Sequence, residues 1–386
     1  MKLYKNDNIL ILSHFSERSS SSGFPPEEIK DFLLKKVKRI TYIEHSFPYA
    51  SDHRSSMSIY ENGVLKNQIF TPKIFGPEIF FYFIDFFITF YFLIKSRRRF
   101  DLCIALDNLN TFSILPFRKF GIVKKLVFYS IDYTPLRFRN KILNFFYHFI
   151  DRIACYGADK IWVLSDRMIS ARKKNNVDTK KSATNIVLPM GANLSRIQIL
   201  PIEKINRHDI VFIGHLLKKQ GVQIVLEALS DIVPEFSDLK FIIIGQGEYE
   251  QKLKLLTKKL KITNHVEFKG FINSYKLVEN ILCRSAMGVA LYSPTSDNYT
   301  FYTDPGKPKL YIGCGLPIII TDIPKFARVV QKRKAGIIVD YNVKSLKNAL
   351  MFLLTSDNYK KYRANAIKLA KEYNTENLIQ KALIKT

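Results

Sequence analysis

Short, almost continuously apolar runs alternate with helical stretches along nearly the whole chain, and this alternation restricts the fold more than any other feature. In the first half the runs at 8–14, 40–45, 102–107 and 126–132 read as strands, and 27–36, 111–120 and 140–156 read as helices. In the second half strands are expected at 209–214, 240–245, 266–271, 287–292, 317–321 and 336–339. Helices fall near 222–233, 249–261 and 275–283, and two more start at Val343 and Asn358. Strands that are apolar on both faces and separated by helices belong to parallel, doubly wound sheets. Ligands of such sheets lie beyond the carboxyl ends of the strands.

A length of 386 residues is too long for one ordinary core and suits two α/β domains of about 190 residues. The polar stretch 201–208 marks the expected boundary, giving domains 1–200 and 201–386 that face each other across a cleft. Sixty Lys and Arg against 34 Asp and Glu leave a net charge of +26, which implies an anionic partner. No zinc finger, RNP-type aromatic motif or compact basic tail is present, so nucleic acid is not the expected partner. With 30 Phe and 20 Tyr in the chain, an anionic membrane surface fits the charge better. Cys103, Cys155, Cys283 and Cys314 form no Cys-x-x-Cys pair and suggest neither a disulfide framework nor a zinc site. The expected compartment is therefore the reducing cytoplasm, and the apolar run 9–12 is too short for a signal-peptide core and reads as the first strand.

The run Asp304-Pro305-Gly306-Lys307-Pro308-Lys309-Leu310, followed by Gly315-Leu316-Pro317 and an apolar strand, places a lysine and a helix N-terminus together. That pairing suits a ligand's phosphates. The run resembles the nucleotide-sugar-binding domain of GT-B glycosyltransferases, in particular the retaining family 4 enzymes and the xanthan glucuronosyltransferase-like enzymes. Gly214-His215-Leu216-Leu217-Lys218-Lys219-Gln220-Gly221, Gly245-Gln246-Gly247 and Pro189-Met190-Gly191-Ala192-Asn193 agree in order and spacing. The resemblance covers roughly 160–375 and implies two Rossmann-like domains, with the last helix, 376–384, crossing back onto the first. It implies that Lys307 neutralises the donor diphosphate, with Gly214, Lys218 or Lys219 and Gly245 forming the phosphate-side wall. His215 and Gln220 stand where most family members carry an arginine and a lysine, and Tyr302 and Leu310 where they carry paired glutamates. Donor hydroxyls are then expected to be held by Asp304, by Tyr302, or by backbone amides from Asp304 through Gly306 to Lys307.

In the first domain Asp132 ends a buried strand and is the expected proton acceptor or charge stabiliser, with Asp107 as runner-up; either also suits a helix cap. His14, followed by Gly23, is expected to line the acceptor pocket. The stretch 79–94 is nearly all Phe, Ile, Leu and Tyr and ends at Arg97, Arg98 and Arg99. As a helix it spans about 24 Å, short of a hydrocarbon core, so it reads either as an interfacial helix binding anionic lipid or as a core helix. Arg137, Arg139 and Lys141 form a second basic cluster, suited to a lipid-diphosphate acceptor or simply solvated. The resemblance implies a retaining transferase that moves sugar from a nucleotide-diphosphate sugar to a lipid-linked or surface-polysaccharide acceptor. It would need no cofactor or metal and would sit at the inner face of the membrane. The rivals are a noncatalytic membrane-binding partner of a glycosyltransferase complex and a nucleotide-sugar epimerase of the same fold.

Overall fold

The computed structural model describes residues 4–15, 25–295, 299–355 and 357–386. Gly23 lies outside them. The chain divides into two units, Met1–Pro189 with Glu376–Thr386, and Met190–Thr375. The division falls after Pro189 and not at the expected 200/201, because residues 190–200 are tied into the second unit. The Met190 amide donates to Asp304 (2.9 Å), the Ala192 amide donates to the Tyr373 carbonyl (2.9 Å), and Ala192 and Ile197 are buried in the second unit's core.

In the first unit the order is β1 (Asn8–Phe15), α1 (Pro25–Leu34), β2 (Arg39–Ser46), β3 (Ser56–Glu61), β4 (Val64–Phe70), α2 (Glu78–Ser96), β5 (Phe100–Leu106) and α3 (Asp107–Lys119). There follow β6 (Val123–Ser130), α4 (Lys141–Gly157), β7 (Lys160–Val163), α5 (Asp166–Lys174) and β8 (Thr184–Val187). The eight strands lie in the order β4-β3-β2-β1-β5-β6-β7-β8, and every pairing is parallel except β2–β3 and the β3–β4 hairpin, which are antiparallel. The hairpin turns on Asn62 and Gly63, both with positive φ (52° and 78°), as a two-residue turn of the primed type requires. Residues 9–12 are fully buried between the helix layers, each large side chain contributing about 1.5–3 kcal/mol.

The second unit runs β9 (Asp209–Ile213), α6 (Val222–Ser230), β10 (Lys240–Ile244), α7 (Glu250–Lys259), β11 (Val266–Gly270), α8 (Tyr275–Arg284), β12 (Met287–Ala290) and α9 (Gly306–Gly313). It ends with β13 (Ile318–Thr321), α10 (Phe326–Lys332), β14 (Gly336–Val339), α11 (Val343–Thr355) and α12 (Tyr359–Glu372). Its six strands are all parallel, in the order β11-β10-β9-β12-β13-β14. A last helix, α13 (Thr375–Lys385), is counted with the first unit from Glu376 on. Glu376 pairs with Lys35 (2.7 Å), and the Trp162 indole donates to Thr386 Oγ1 (3.1 Å).

In each sheet the strand order reverses once, between β1 and β5 and between β9 and β12. The carboxyl ends of those strands are the topological switch points where open α/β sheets hold ligands. They carry His14 and Asp107 in the first unit and Gly214 and Tyr292 in the second.

Candidate functional site

Two nested glycine turns lie at the carboxyl ends of β9 and β10 in the second unit. Gly214 (φ 141°) follows β9 and Gly245 (φ 135°) follows β10, both in a backbone region that suits glycine. A Cβ on Gly245 would stand 2.0 Å from the Gly214 carbonyl oxygen, so the two backbones pack directly on each other. The Gly214 amide donates to the Ile244 carbonyl (2.9 Å) and the Leu216 amide to the Gln246 carbonyl (2.9 Å). His215 and Lys218 are exposed and Lys219 is half-buried, with its ammonium 5.3 Å from the Tyr299 ring centre.

Lys307, in the first turn of α9, reaches this loop. A Cβ on Gly214 would meet its Cε and Nζ at 3.4 Å. Nζ donates to Gln220 Oε1 (2.8 Å) and lies over the rings of Phe212 (4.1 Å) and Tyr292 (5.3 Å). Burial among these neutral groups pushes the ammonium down to about 7, with no carboxylate opposing the shift. Gln220 thus belongs to the site, although sequence reasoning saw it only as a missing lysine. The Tyr292 hydroxyl is buried without a hydrogen-bond partner, an uncommon state for a buried polar group. Tyr311 fixes the helix that carries Lys307: its hydroxyl accepts from the Ile213 amide (2.9 Å) and donates to the Val289 carbonyl (3.2 Å).

Asp304, expected near the donor hydroxyls, is buried, and both its oxygens are engaged. One accepts from the fully buried Lys309 and the other from the Met190 amide (2.9 Å). Burial pushes Asp304 up and Lys309 down, and their mutual attraction opposes both shifts. The pair pins the loop before α9; its counterpart in the sequence was simply another lysine in a basic run. Tyr302 is half-buried beside Phe301 (ring centres 5.1 Å apart), Gly306 opens α9, and Leu310 packs into the core. The first turn of α9 has no side-chain cap, so its amides stay available beside Lys307.

In the first unit, Asp107 is the first residue of α3 and not the last of β5, and its φ is 68°. Such left-handed backbone is uncommon outside glycine and is best tolerated by Asp and Asn. Burial pushes its carboxyl up to about 6; His14, Arg137 and Arg172 act against the shift and Asp132 adds to it. Asp132 lies two residues past β6 and pairs with Arg137. Its loop is held to α4 by Asn144, which accepts from the Arg137 amide (2.9 Å), and by His148, whose Nε2–H donates to the Pro135 carbonyl (2.8 Å).

His14 is brought to the same strand ends, but both its ring nitrogens are engaged. Nδ1 accepts from the Asn110 amide group (3.1 Å), so Nε2–H donates to Asp85 (3.1 Å). Asp85, the acidic residue inside the aromatic helix α2, also lies 3.4 Å from His45 Nδ1, and His45 Nε2 meets Thr89 Oγ1 at 2.9 Å. Burial pushes His45 down to about 4. One face of α2 is therefore packed, and the other exposes Phe80, Phe83, Phe87, Tyr91 and Ile94. Of the basic cluster after α2, Arg97 and Arg99 are exposed, whereas Arg98 donates to Glu61 (3.1 Å).

Comparison with known proteins agrees with this geometry. Residues 207–356, containing the glycine loops and Lys307, match the family model described as glycosyl transferases group 1. Poly(glycerol-phosphate) alpha-glucosyltransferase of Bacillus subtilis is 24% identical over 184 residues, which are 47% of this chain and 25% of that protein. The chain thus spans only a quarter of the length of that relative. Sucrose-phosphate synthase from Thermosynechococcus elongatus superposes with a TM-score of 0.71 at 12% identity, covering 98% of this chain and 97% of that one. Anabaena HepE in complex with UDP and glucose gives a TM-score of 0.65 at 13% identity, covering 98% and 99%. The chain has the GT-B fold, and its residues 207–356 match the glycosyl transferases group 1 model.

Proposed function

We propose that the chain is a glycosyltransferase that moves a sugar from a nucleotide-diphosphate sugar to a lipid-linked or surface-polysaccharide acceptor, with retention of configuration. The observation that carries this reading is Lys307: a half-buried ammonium beside Gly214, with a neutral glutamine as partner and uncapped helix amides next to it. A diphosphate entering there would supply the missing negative charge. Charge growing on the leaving nucleotide would be met by groups already in place, the situation in which electrostatic stabilisation is largest. Lysine and amides take the role a metal plays elsewhere, so transfer should survive a chelator. The HepE structure holds UDP and glucose, and the glucosyltransferase of Bacillus subtilis acts on poly(glycerol phosphate); both accord with a nucleotide-sugar donor and a surface-polymer acceptor.

On the acceptor side Asp107 suits the proton-accepting role better than Asp132 does. Its carboxyl is held near neutral working pH, whereas Asp132 is paired with Arg137. His14 then positions: through Asn110, which also donates to the Leu106 carbonyl (2.7 Å), it braces the start of α3 where Asp107 sits. The exposed face of α2 with Arg97 and Arg99 would rest on anionic lipid at the inner face of the membrane.

The test is release of nucleoside diphosphate from a panel of nucleotide-sugars, with and without lipid-linked or glycan acceptors. Acceptor-dependent release supports the transferase. Nucleotide-sugar binding without release from any donor would favour the noncatalytic partner subunit.

A further inference from the structure

We infer that α4 is a second membrane-contacting helix of the first unit, lying in the headgroup layer of an anionic bilayer together with α2; this rests on the membrane reading of α2 given above. Ile142, Phe145, Phe146 and Phe149 are 67%, 62%, 53% and 45% exposed. Their spacing of i, i+3, i+4 and i+7 puts them on one stripe of the helix. The opposite face buries Asp151, Ala154 and Cys155. Three bulky aromatic rings and an isoleucine in one exposed stripe are more than scattered surface apolar residues, and a contiguous patch of this kind marks a contact surface.

The charge around the stripe selects the occupant. Leu136, 67% exposed, precedes the helix start, and Arg139 and Lys141 stand exposed at the same end. Neither cation has a carboxylate partner among the described residues. At the far end of α4, where Arg118 of α3 donates to the Gly157 carbonyl, Lys119 and the 77% exposed Phe120 pair another cation with an exposed ring. A second copy of a chain carrying +26 would be repelled from this surface. Anionic headgroups meet the cations while the rings enter the acyl boundary.

The two helices belong to one layer. From α2, Phe86 and Phe90 pack on Phe112 and Phe117 of α3 (ring centres 5.8 and 4.5 Å apart). On its other side α3 meets α4, where the Asn108 amide donates to the Tyr147 carbonyl (3.3 Å). With α3 between them, α2 and α4 give a two-helix footprint. The loop carrying Asp132 is hydrogen-bonded to α4 and so lies at its edge. A lipid-linked acceptor would present its polar end there.

The experiment uses the full chain, whose single native tryptophan, Trp162, is fully buried and gives a background emission that the wild type measures and that is subtracted. Phe145→Trp and Phe83→Trp are made separately and mixed with phosphatidylglycerol vesicles containing brominated acyl chains. Both are expected to lose emission by about twofold, as for rings 5–10 Å inside the headgroup boundary, and to recover as salt is raised. The double variant Phe145→Ser/Phe149→Ser should weaken vesicle binding about tenfold, as expected for removing two partly buried rings. Quenching at position 83 with none at 145, and unchanged binding of the double variant, overturns the α4 inference and leaves the α2 reading intact. Quenching at neither position overturns both, and directs attention to an acidic protein as the occupant. Equal quenching on phosphatidylcholine vesicles also overturns the inference, because it removes the role of Arg139 and Lys141.

Discussion

Lys307 is buried among neutral groups that push its ammonium down to about 7, and its titration is therefore the most informative at this scale. Its folded value, about 7, lies below the unfolded one, so between those values the unfolded chain binds more protons and stability gains from this group as pH rises. Nucleotide binding has the opposite sign. A diphosphate beside Nζ favours the charged form, so binding takes up a proton, and affinity should fall as pH rises above about 7. Calorimetric titration of a nucleoside diphosphate in buffers of different ionisation enthalpy checks this; no proton uptake at pH 8 would contradict it. Asp107 gives a second prediction at this scale. Transfer should rise with pH through about 6, and Asp107→Asn, which still tolerates a φ of 68°, should lose about a hundredfold or more in rate with little change in melting temperature. An unaltered pH–rate profile in that variant would return the role to Asp132. That Lys307 lies at a helix N-terminus and Asp107 at the carboxyl end of a strand was legible from position in the sequence. The engagement of His14 and Asp304 was not, because their partners Asp85, Asn110 and Lys309 are set by tertiary packing and not by spacing.

At the scale of elements, the strands that carry the sites were readable because they are buried on both faces. The β3–β4 hairpin was missed: the residues of β4 are nearly all exposed and form no apolar run, although Asn62-Gly63 was a usable turn signal. The glycine turns show how closely an element's end can be specified. In Gly245→Ala the new methyl would meet the Gly214 carbonyl oxygen at 2.0 Å, so the two turns must part and the loop facing Lys307 must move. Nucleotide binding should be lost in a chain that still shows native circular dichroism, and retained binding would mean the loop tolerates the displacement. The buried Lys309–Asp304 pair gives a contrasting case. Lys309→Met leaves Asp304 buried without its cation and should destabilise the second unit by about 3–5 kcal/mol in urea unfolding. Helix α2 packs one face, with Asp85 and Thr89 against the histidines, and leaves an aromatic stripe exposed on the other.

For the whole molecule, length and the alternation of strands and helices pointed to two α/β bodies, and in both sheets the strand order reverses once, the point at which open α/β sheets hold ligands. The division of the chain at 189/190 was not legible, because it depends on hydrogen bonds from Met190 and Ala192 to residues more than a hundred positions away. The claim on which the rest depends is that a donor diphosphate binds against Lys307. Equilibrium titration of wild type and Lys307→Ala with the nucleotide found by a thermal-shift screen measures it directly. Loss of a charge-assisted hydrogen bond of about 1.5–3 kcal/mol predicts an affinity roughly 10- to 150-fold weaker in a variant of undiminished stability. The same affinity in the two folded proteins would contradict the account.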